Sequence, residues 1–324
     1  MRPFDYVSVT DIPAAVQTIA TTPNAKFLGG GTNLVDLIRE DIERPETVVD
    51  ITRLPLAGVT ALDNGGVRIG ALVRNSALAA HPLIRTKYPV LAQAILAGAS
   101  GQLRNMATVG GNLLQRTRCS YFYDTASRCN KREPGSGCDA IGGFSRGHAV
   151  LGVSPSCIAA HPSDMAVALT MLDAEVEVES VRGTRRIPIG EFHRLPGETP
   201  HLETVLEPDE LITAVEIPET TKNSRYRKIR DRASYAFALV SVAAAMETRD
   251  GTITEIRLAL GGVGTKPWRA TEAERILAGA QAGDAEFRRA AEAELAAAVA
   301  TEQNEFKVEL AIRAIVAMLR EVNN

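Results

Sequence analysis

The chain has little of several features that would define its class directly. Its 324 residues include only four cysteines and one tryptophan, and its formal net charge is −3. So few cysteines in a chain of this length exclude a disulfide-stapled secreted scaffold. The small net charge gives no reason to expect nucleic acid as a partner. The composition is otherwise that of an ordinary globular protein.

Long apolar runs are also missing, and no secretory leader is expected. The longest apolar stretch, Tyr235–Met246, is too short to span a bilayer, so it predicts a buried strand and no membrane insertion. Near the N-terminus, Asp5 and Asp11 stand where the apolar core of a secretory signal would lie. Taken alone, these residues predict a cytoplasmic protein.

The order of helix and strand patterns predicts an α+β fold. A β-α-β layer is expected to end near Ile51, and a second block from about Leu54 to Ala174 closes with a helix capped by Ser163. Further strands follow, and alanine-rich helices occupy about 270–322. The predicted domains are residues 1–176, with lobes of about 1–53 and 54–176, and residues 177–324.

A first glycine turn, Gly29–Asn33, is a candidate anion site. It follows apolar Phe27 and Leu28 and precedes an amphipathic helix, so its backbone N–H groups are available to a diphosphate. The dinucleotide fingerprint G-x-G-x-x-G fails because Leu34 occupies its last position. Asp50 keeps a nicotinamide cofactor possible, and a plain β-turn also stays open.

A second turn, Ala107–Leu114, offers Thr108, Gly111 and Asn112 for binding. Two such turns fit a long, folded dinucleotide better than a single phosphate. Asp164, at a predicted helix start, could accept a hydrogen bond from a ribose or ribityl hydroxyl, or could simply favour the helix dipole. The five histidines are scattered, which predicts packing or surface roles and no acid–base pair. These features favour an electron carrier over a chain that performs bond chemistry.

The four cysteines are concentrated in one polar segment. They lie within 39 residues, and Gln115–His148 carries six basic side chains against three acidic ones. Four thiolates on a [4Fe–4S] core form a dianion, which positive neighbours would stabilise while lowering the thiol pKa values. The segment has no C-x2–4-C pair of the kind that structural zinc sites use. An iron–sulfur cluster is favoured, while zinc, disulfides and ordinary buried thiols stay open.

Several longer stretches resemble a known family. The sequences KFLGGGTNLVDL, ASGQLRNMATVGGNLLQRTRCSYFYD and YRKIRDRASYAFALVSVAAA are similar to FAD-binding subunits of the xanthine dehydrogenase, or molybdenum hydroxylase, family. The likeness extends from the N-terminus to the C-terminal helices. Most members lack the cysteine insert, residues 115–157. It occurs in the flavin subunits of 4-hydroxybenzoyl-CoA reductase and of bacterial periplasmic aldehyde oxidoreductase, and this chain is most similar to the second.

The resemblance implies a fold and a set of site residues. The fold is a vanillyl-alcohol-oxidase/PCMH-type FAD-binding unit of two lobes, followed by a CO-dehydrogenase-flavoprotein-type C-terminal α+β domain. The implied FAD-binding residues are Lys26, Phe27, Leu28, Gly29, Gly30, Gly31, Thr32, Asn33, Leu34, Thr108, Gly111, Asn112, Asp164, Lys228 and Phe237. The implied ligands of one [4Fe–4S] cluster are Cys119, Cys129, Cys138 and Cys157. No catalytic residue is implied.

The same resemblance implies a heterotrimer. A molybdenum-cofactor subunit would oxidise an aldehyde with water to a carboxylic acid, and a small subunit with two [2Fe–2S] clusters would pass the electrons to FAD on this chain and on to an external acceptor. The insert cluster would serve as an electron port or a structural staple. Two alternatives are a 4-hydroxybenzoyl-CoA reductase-like subunit, with electrons running inward, and a zinc-stabilised binding module.

Cellular location also follows from the resemblance. The similar periplasmic subunit has no signal of its own and is exported in the folded state with a partner that carries a twin-arginine signal. The expected location is therefore the periplasm, with the cytoplasm as the alternative.

Overall fold

The N-terminal lobe is a small parallel β-α-β layer. The computed structural model describes residues 1–220 and 223–323. The lobe consists of β1 (Asp5–Ser8), α1 (Ile12–Thr21), β2 (Ala25–Leu28), α2 (Leu34–Arg39) and β3 (Thr47–Asp50). The strand order is β1-β3-β2, and Val49 of the central strand lies opposite both Val7 and Phe27. The predicted strand, turn, helix and second strand are observed, whereas the short, exposed β1 has no clear sequence pattern.

The second lobe packs helices against an antiparallel sheet. Its elements are β4 (Val59–Ala61), β5 (Val67–Gly70), α3 (Asn75–Ala80), α4 (Pro82–Lys87), α5 (Pro89–Ala97), α6 (Gly101–Met106), α7 (Val109–Leu113), α8 (Ser120–Tyr123), α9 (Asp164–Met171), β6 (Glu175–Ser180), β7 (Gly183–Pro188), α10 (Ile189–Phe192) and β8 (Leu211–Ile217). The sheet order is β4-β5-β8-β6-β7. Every residue of α9 is buried because apolar side chains cover all of its faces. As predicted, Ser163 caps α9, accepting from the N–H of Ala166 at 2.9 Å.

The sheet of the second lobe continues past the predicted domain boundary. Position 176/177 lies inside β6, which pairs with both β7 and β8, while β8 pairs with β5 far back in the chain. The hydrogen-bonded unit therefore runs to Ile217. A long-range strand pairing of this kind leaves no local signal in the sequence.

The cysteine insert contains almost no regular structure. Throughout 115–157, which the structure describes completely, α8 is the one helix, and the rest consists of turns, bends, isolated bridges and irregular backbone. A β-bridge joins Cys129 to Cys138, and a second joins Ser154 to Cys157. Along the chain, the insert follows both glycine turns and precedes α9.

The C-terminal domain is an antiparallel sheet covered by helices. Its elements are β9 (Ser224–Ile229), β10 (Val240–Arg249), β11 (Thr252–Gly261), β12 (Trp268–Arg269), α11 (Thr271–Leu277), α12 (Asp284–Leu295) and α13 (Phe306–Asn323). The strand order is β12-β11-β10-β9. The predicted buried strand corresponds to β10, whose residues Val240–Met246 are all buried. Its core includes Phe287 and Ile315 from the covering helices.

Among the helices of residues 1–220 and 223–323, none combines the length and the apolar character needed to cross a membrane.

Candidate functional site

The first glycine turn has a backbone that only glycine can supply. A Cβ atom on Gly30 would lie 2.0 Å from the carbonyl oxygen of Met106, and Gly31 has a φ of +74°. Both constraints exclude ordinary side chains. The turn thus lies directly against the end of α6. The glycines are needed for this close contact, and their role in binding a diphosphate stays a prediction.

The second turn faces the first. Thr108 caps α7, its hydroxyl accepting from the N–H of Gly111 at 3.2 Å, and a Cβ atom on Gly29 would lie 3.2 Å from the same hydroxyl oxygen. Asn112 makes a hydrogen bond within the chain, and its contact with FAD stays a prediction. Its Oδ1 accepts from the hydroxyl of Ser163 at 2.6 Å, so it ties this turn to the cap of α9.

A large cavity of about 420 Å³ opens between the two turns. Its lining includes most of the predicted FAD-binding residues of the two turns, namely Lys26, Phe27, Gly29, Gly30, Gly31, Thr32, Asn33, Leu34, Thr108 and Gly111. Leu28 and Asn112 are not among the described residues that line it. The Nδ2 atom of Asn33 is buried here without a hydrogen-bond partner in the described chain, although its Oδ1 accepts from the N–H of Arg116 at 2.9 Å.

A small cavity of about 120 Å³ adjoins the large one. Both are lined by Thr117, Ala160, His161 and Pro162, so the two spaces share a wall. The small cavity is also lined by Asp164 and Phe237, which were both predicted to bind FAD, and by Cys119 and His148. The tertiary structure thus brings one of the four cysteines to the cavity that holds the predicted contacts of the flavin end.

Lys228 reaches Asp164 directly. Its Nζ atom lies 2.8 Å from Asp164 Oδ2, and the side chains are only 3% and 9% exposed. The hydroxyl of Tyr226 donates to the other carboxylate oxygen. Burial and the adjacent carboxylate raise the pKa of Tyr226 well above its usual value. Tyr226, which sequence reasoning missed, therefore stays a hydrogen-bond donor to Asp164.

A buried charge network forms one wall of the large cavity. The guanidinium of Arg116 contacts Glu43 and Glu203, each at 2.7 Å, and Lys131 contacts Glu203 at 2.7 Å. Burial raises the pKa of Glu203, but the charges of Arg116 and Lys131 outweigh it and lower that pKa overall. The network joins the first lobe, the insert and the loop after α10. Only the fold brings these segments together, so no sequence spacing indicated it.

Two histidines of the cavity wall were also missed. His161 and His193 pack edge to face, with ring centroids 4.5 Å apart. Burial lowers the pKa of His193 to about 4 and that of His161 well below its usual value, so both rings are neutral near neutral pH. From the sequence we expected these histidines to pack in the interior or to lie on the surface. Their position in the cavity wall was not predicted.

The four cysteines are free thiols that the insert brings into one region. The pKa of Cys119 is raised to about 11, mainly by burial and further by Cys129 and Cys157. Burial also raises the pKa of Cys157, with Cys138 and Cys129 adding to the effect. Cys119 Sγ lies 3.1 Å from His148 Nε2. Lys131 lowers the pKa of Cys157, as predicted for a basic neighbour, but burial outweighs this effect and the pKa is raised overall. For Cys119, too, burial sets the overall direction, against the expected lowering.

The positive charge counted along the insert is offset in the fold. Three acidic residues from outside the segment, Glu43, Glu203 and Asp231, pair with Arg116, Lys131 and Arg146. Within the segment, Arg128 pairs with Asp139 at 2.8 Å. In the part of the chain that the structure describes, no group of three or more His, Cys, Asp or Glu side chains is arranged to hold a metal ion.

Comparison with known proteins assigns the chain to a family. The family model described as the FAD binding domain in molybdopterin dehydrogenase matches residues 2–220. The model described as the CO dehydrogenase flavoprotein C-terminal domain matches residues 224–322. The chain belongs to the FAD-binding subunits of the molybdenum hydroxylases. The two matches meet in the segment after β8, where the hydrogen-bonded unit of the second lobe has ended.

Two relatives are similar to this FAD-binding subunit over most of their length. The chain is 53% identical to the aldehyde oxidoreductase FAD-binding subunit PaoB of Escherichia coli strain K12, over 99% of this chain and 98% of that one. It is 27% identical to the glyceraldehyde dehydrogenase medium chain of Sulfolobus acidocaldarius, over 87% of this chain and 83% of that one.

Solved structures share the fold of this FAD-binding subunit. Carbon monoxide dehydrogenase from Hydrogenophaga pseudoflava gives a TM-score of 0.78 at 23% identity, covering 99% of this chain and 97% of that one. Quinoline 2-oxidoreductase from Pseudomonas putida 86 gives 0.77 at 21% identity, covering 99% and 97%. The predicted two-lobed FAD-binding unit with a C-terminal α+β domain is therefore confirmed.

Proposed function

We propose that this chain is the FAD- and [4Fe–4S]-containing electron-transfer subunit of a molybdenum-dependent aldehyde oxidoreductase. The observation that carries the proposal is the pair of adjoining cavities, which begin at two facing glycine turns and end beside Cys119. The 53% identity with a subunit named for aldehyde oxidoreductase supports the substrate class. The substrate itself would be oxidised on a partner, and this chain contributes no catalytic residue.

The residues present fit FAD. The backbone of Gly30 approaches Met106 too closely for any side chain, and Gly29, Gly30 and Gly31 all line the large cavity. Backbone N–H groups of successive glycines are suited to a diphosphate. The buried, unpartnered Nδ2 of Asn33 supplies a further donor in the same cavity. Asp164 and Phe237 line the small cavity that would take the flavin end. When bound, FAD supplies the redox chemistry that links partner [2Fe–2S] clusters to an external acceptor.

The chemistry of the donor set fits a [4Fe–4S] cluster. All four thiols are free, and Cys119 and Cys157 each lie close enough to two other cysteines for the negative charges of those thiolates to raise their pKa values. A cubane holds its four thiolates farther apart than a single zinc ion does. When bound, such a cluster supplies one-electron redox chemistry or a structural cross-link.

We propose partners and a location with the same function. The partners would be a large molybdenum-cofactor subunit and a small subunit with two [2Fe–2S] clusters. The complex would be periplasmic, exported through a signal on a partner. Expressing the chain with and without those partners, followed by cell fractionation, tests this. A chain that stays in the cytoplasm even with all partners present contradicts the proposed location.

Cofactor analysis of the complex purified anaerobically tests the central proposal. We expect flavin absorption bands, FAD near one per chain and about four irons per chain beyond those of the small subunit. Stoichiometric zinc without iron would refute the cluster and favour a zinc-stabilised module. Oxidation of aromatic aldehydes, compared with reduction of hydroxybenzoyl-CoA, separates the aldehyde oxidoreductase from the reductase alternative.

A cysteine substitution tests the ligand assignment. Cys129→Ser should lose the iron of this chain while most FAD remains, because the thiolate is the ligand that iron–sulfur clusters require. Ser136→Ala is the matched control, since its hydroxyl accepts from the N–H of Cys129 at 3.1 Å but supplies no sulfur. Equal loss of iron and FAD in Cys129→Ser would indicate that the cluster is mainly a folding element. Full iron in that variant would refute Cys129 as a ligand.

A further inference from the structure

Two histidines lie at the junction of the two cavities. His161 immediately precedes α9 and lines both cavities, while His193 follows α10 and lines the large one. Their rings pack at 4.5 Å between centroids with planes 68° apart. His161 therefore lies on the wall that the two cavities share, and His193 packs beside it on the wall of the large cavity.

Hydrogen bonds define the tautomer of each ring. The N–H of Ser163 points to His161 Nδ1 at 3.3 Å, so that nitrogen is an acceptor and Nε2 carries the proton. His193 Nε2 lies 3.0 Å from the carbonyl oxygen of Leu113, which can only accept, so Nε2 carries the proton and Nδ1 has a lone pair. Each neutral ring thus has one nitrogen hydrogen-bonded to a backbone group, of Ser163 for His161 and of Leu113 for His193.

The other nitrogen of each ring has no partner in the described chain. His161 Nε2 and His193 Nδ1 are both buried without a hydrogen bond. Buried polar groups are costly when unpaired, and most native ones are satisfied. One of these atoms is a donor and the other an acceptor. Burial lowers the pKa of both rings, which keeps this donor–acceptor pair intact near neutral pH.

We propose that His161 and His193 together recognise one sugar hydroxyl of FAD, which accepts from His161 Nε2–H and donates to His193 Nδ1. This inference rests on the proposed binding of FAD in the two cavities. A hydroxyl is suited because it donates and accepts at once. Phosphate and flavin carbonyl oxygens only accept, so they would leave His193 Nδ1 unpaired. The hydroxyl comes from the ribityl chain or from the adenosine ribose.

Replacement of either histidine tests the contact. The intact complex is stripped of flavin and titrated with FAD, with flavin fluorescence as the readout. His161→Phe and His193→Phe should each weaken FAD binding about five- to tenfold, the effect of losing one buried hydrogen bond. His161→Gln should recover part of the loss because its amide N–H can donate. His81→Phe is the matched control, since His81 Nδ1 is also buried and unpartnered but lines neither cavity.

FAD analogues identify the hydroxyl. Analogues that lack a single ribityl hydroxyl, or the 2′-hydroxyl of the adenosine ribose, are titrated against the wild type and His161→Phe. One analogue should bind the wild type at least as weakly as FAD binds either variant, because it loses both hydrogen bonds of that hydroxyl. In His161→Phe the same analogue should lose less further affinity than it loses in the wild type, because only the bond to His193 then remains to be lost. The identity of that analogue shows whether the recognised hydroxyl belongs to the ribityl chain or to the adenosine ribose.

Several outcomes would overturn the proposal. One is that both histidine variants bind FAD as tightly as His81→Phe does. Another is that every deoxy analogue binds the wild type with the affinity of FAD, as expected if a water and not a hydroxyl fills the site. Additive losses for every analogue would do the same. The analogue series on the wild type decides the matter even where a phenylalanine variant fails to fold. A wild type that binds no FAD at all would instead overturn the proposed function.

Discussion

The buried ion pair between Asp164 and Lys228 leads to a strong stability prediction. Asp164→Asn removes the charge that faces the Lys228 ammonium at 2.8 Å, in side chains that are 9% and 3% exposed. The remaining partner of the ammonium is the carbonyl oxygen of Ala97 at 3.2 Å. An ammonium buried at this depth without a counter-charge is strongly disfavoured.

The magnitude follows from the separation and the burial. With an effective dielectric constant of about 20, the attraction across 2.8 Å amounts to about 6 kcal/mol before desolvation is subtracted. Breaking one partner of a buried pair typically costs about 3–5 kcal/mol. Because the new amide keeps one oxygen, the hydroxyl of Tyr226 retains an acceptor. We therefore expect about 3 kcal/mol or more, which lowers the melting temperature by roughly 6 °C or more.

Thermal unfolding of the purified complex, followed by circular dichroism, measures this loss. Asp209→Asn is a suitable control, because its partner Arg182 is 57% exposed and solvent screens that pair. The double variant Asp164→Asn/Lys228→Met should be more stable than Asp164→Asn alone, since no unpaired charge remains. The reasoning fails if Asp164→Asn is as stable as the control, or if the double variant shows the sum of two independent losses.

Three further predictions concern the cavity walls. Gly30→Ala should lower FAD content and cost about 1–3 kcal/mol, because its Cβ would lie 2.0 Å from the Met106 carbonyl oxygen; Gly101→Ala, which meets nothing within 4 Å, should match the wild type in flavin content and melting temperature. His193, with its pKa lowered from 6.5 to about 4, resists protonation only in the folded chain, so its contribution to stability should fall by up to about 3 kcal/mol from about pH 6.5 to about pH 4. His193→Gln should make the decline of the urea midpoint over that range shallower, while His161, whose pKa burial also lowers, still contributes; an unchanged slope would contradict the assignment. Tyr226→Phe should cost about 1 kcal/mol with FAD content nearly unchanged, whereas complete flavin loss would show that its hydroxyl does more than support the buried carboxylate.

Local features of the site could be predicted from the sequence because they depend on neighbouring residues. The turn at Gly29–Asn33 needs a backbone without side chains, and the run of three glycines predicts it. Ser163 caps α9 by accepting from the N–H of Ala166, three residues along the chain, so the start of this helix could also be predicted from the sequence. The strand at Val240–Met246 follows from its continuous apolar character. The FAD-binding fold was accessible in the same way, through residues that recur in a known family.

Contacts between distant segments could not be predicted in this way. The hydroxyl of Tyr226 reaches Asp164, 62 residues away, and His193 packs on His161 although nothing in the spacing links them. The net direction of the pKa of Cys119 and Cys157 was missed for a related reason. Desolvation dominates the pKa of Cys119, and burial is a property of the whole fold.

The sequence by itself determined where the backbone turns, which stretches become strands and helices, and where the cysteines concentrate, since these depend on short-range sterics, capping and apolar patterning. Only the tertiary structure decided which charges and polar groups meet. The insert carries excess positive charge when counted along the chain, yet Glu43, Glu203 and Asp231 pair with it in space. Electrostatic energy depends on distance and on exclusion of water, and neither is readable from sequence order.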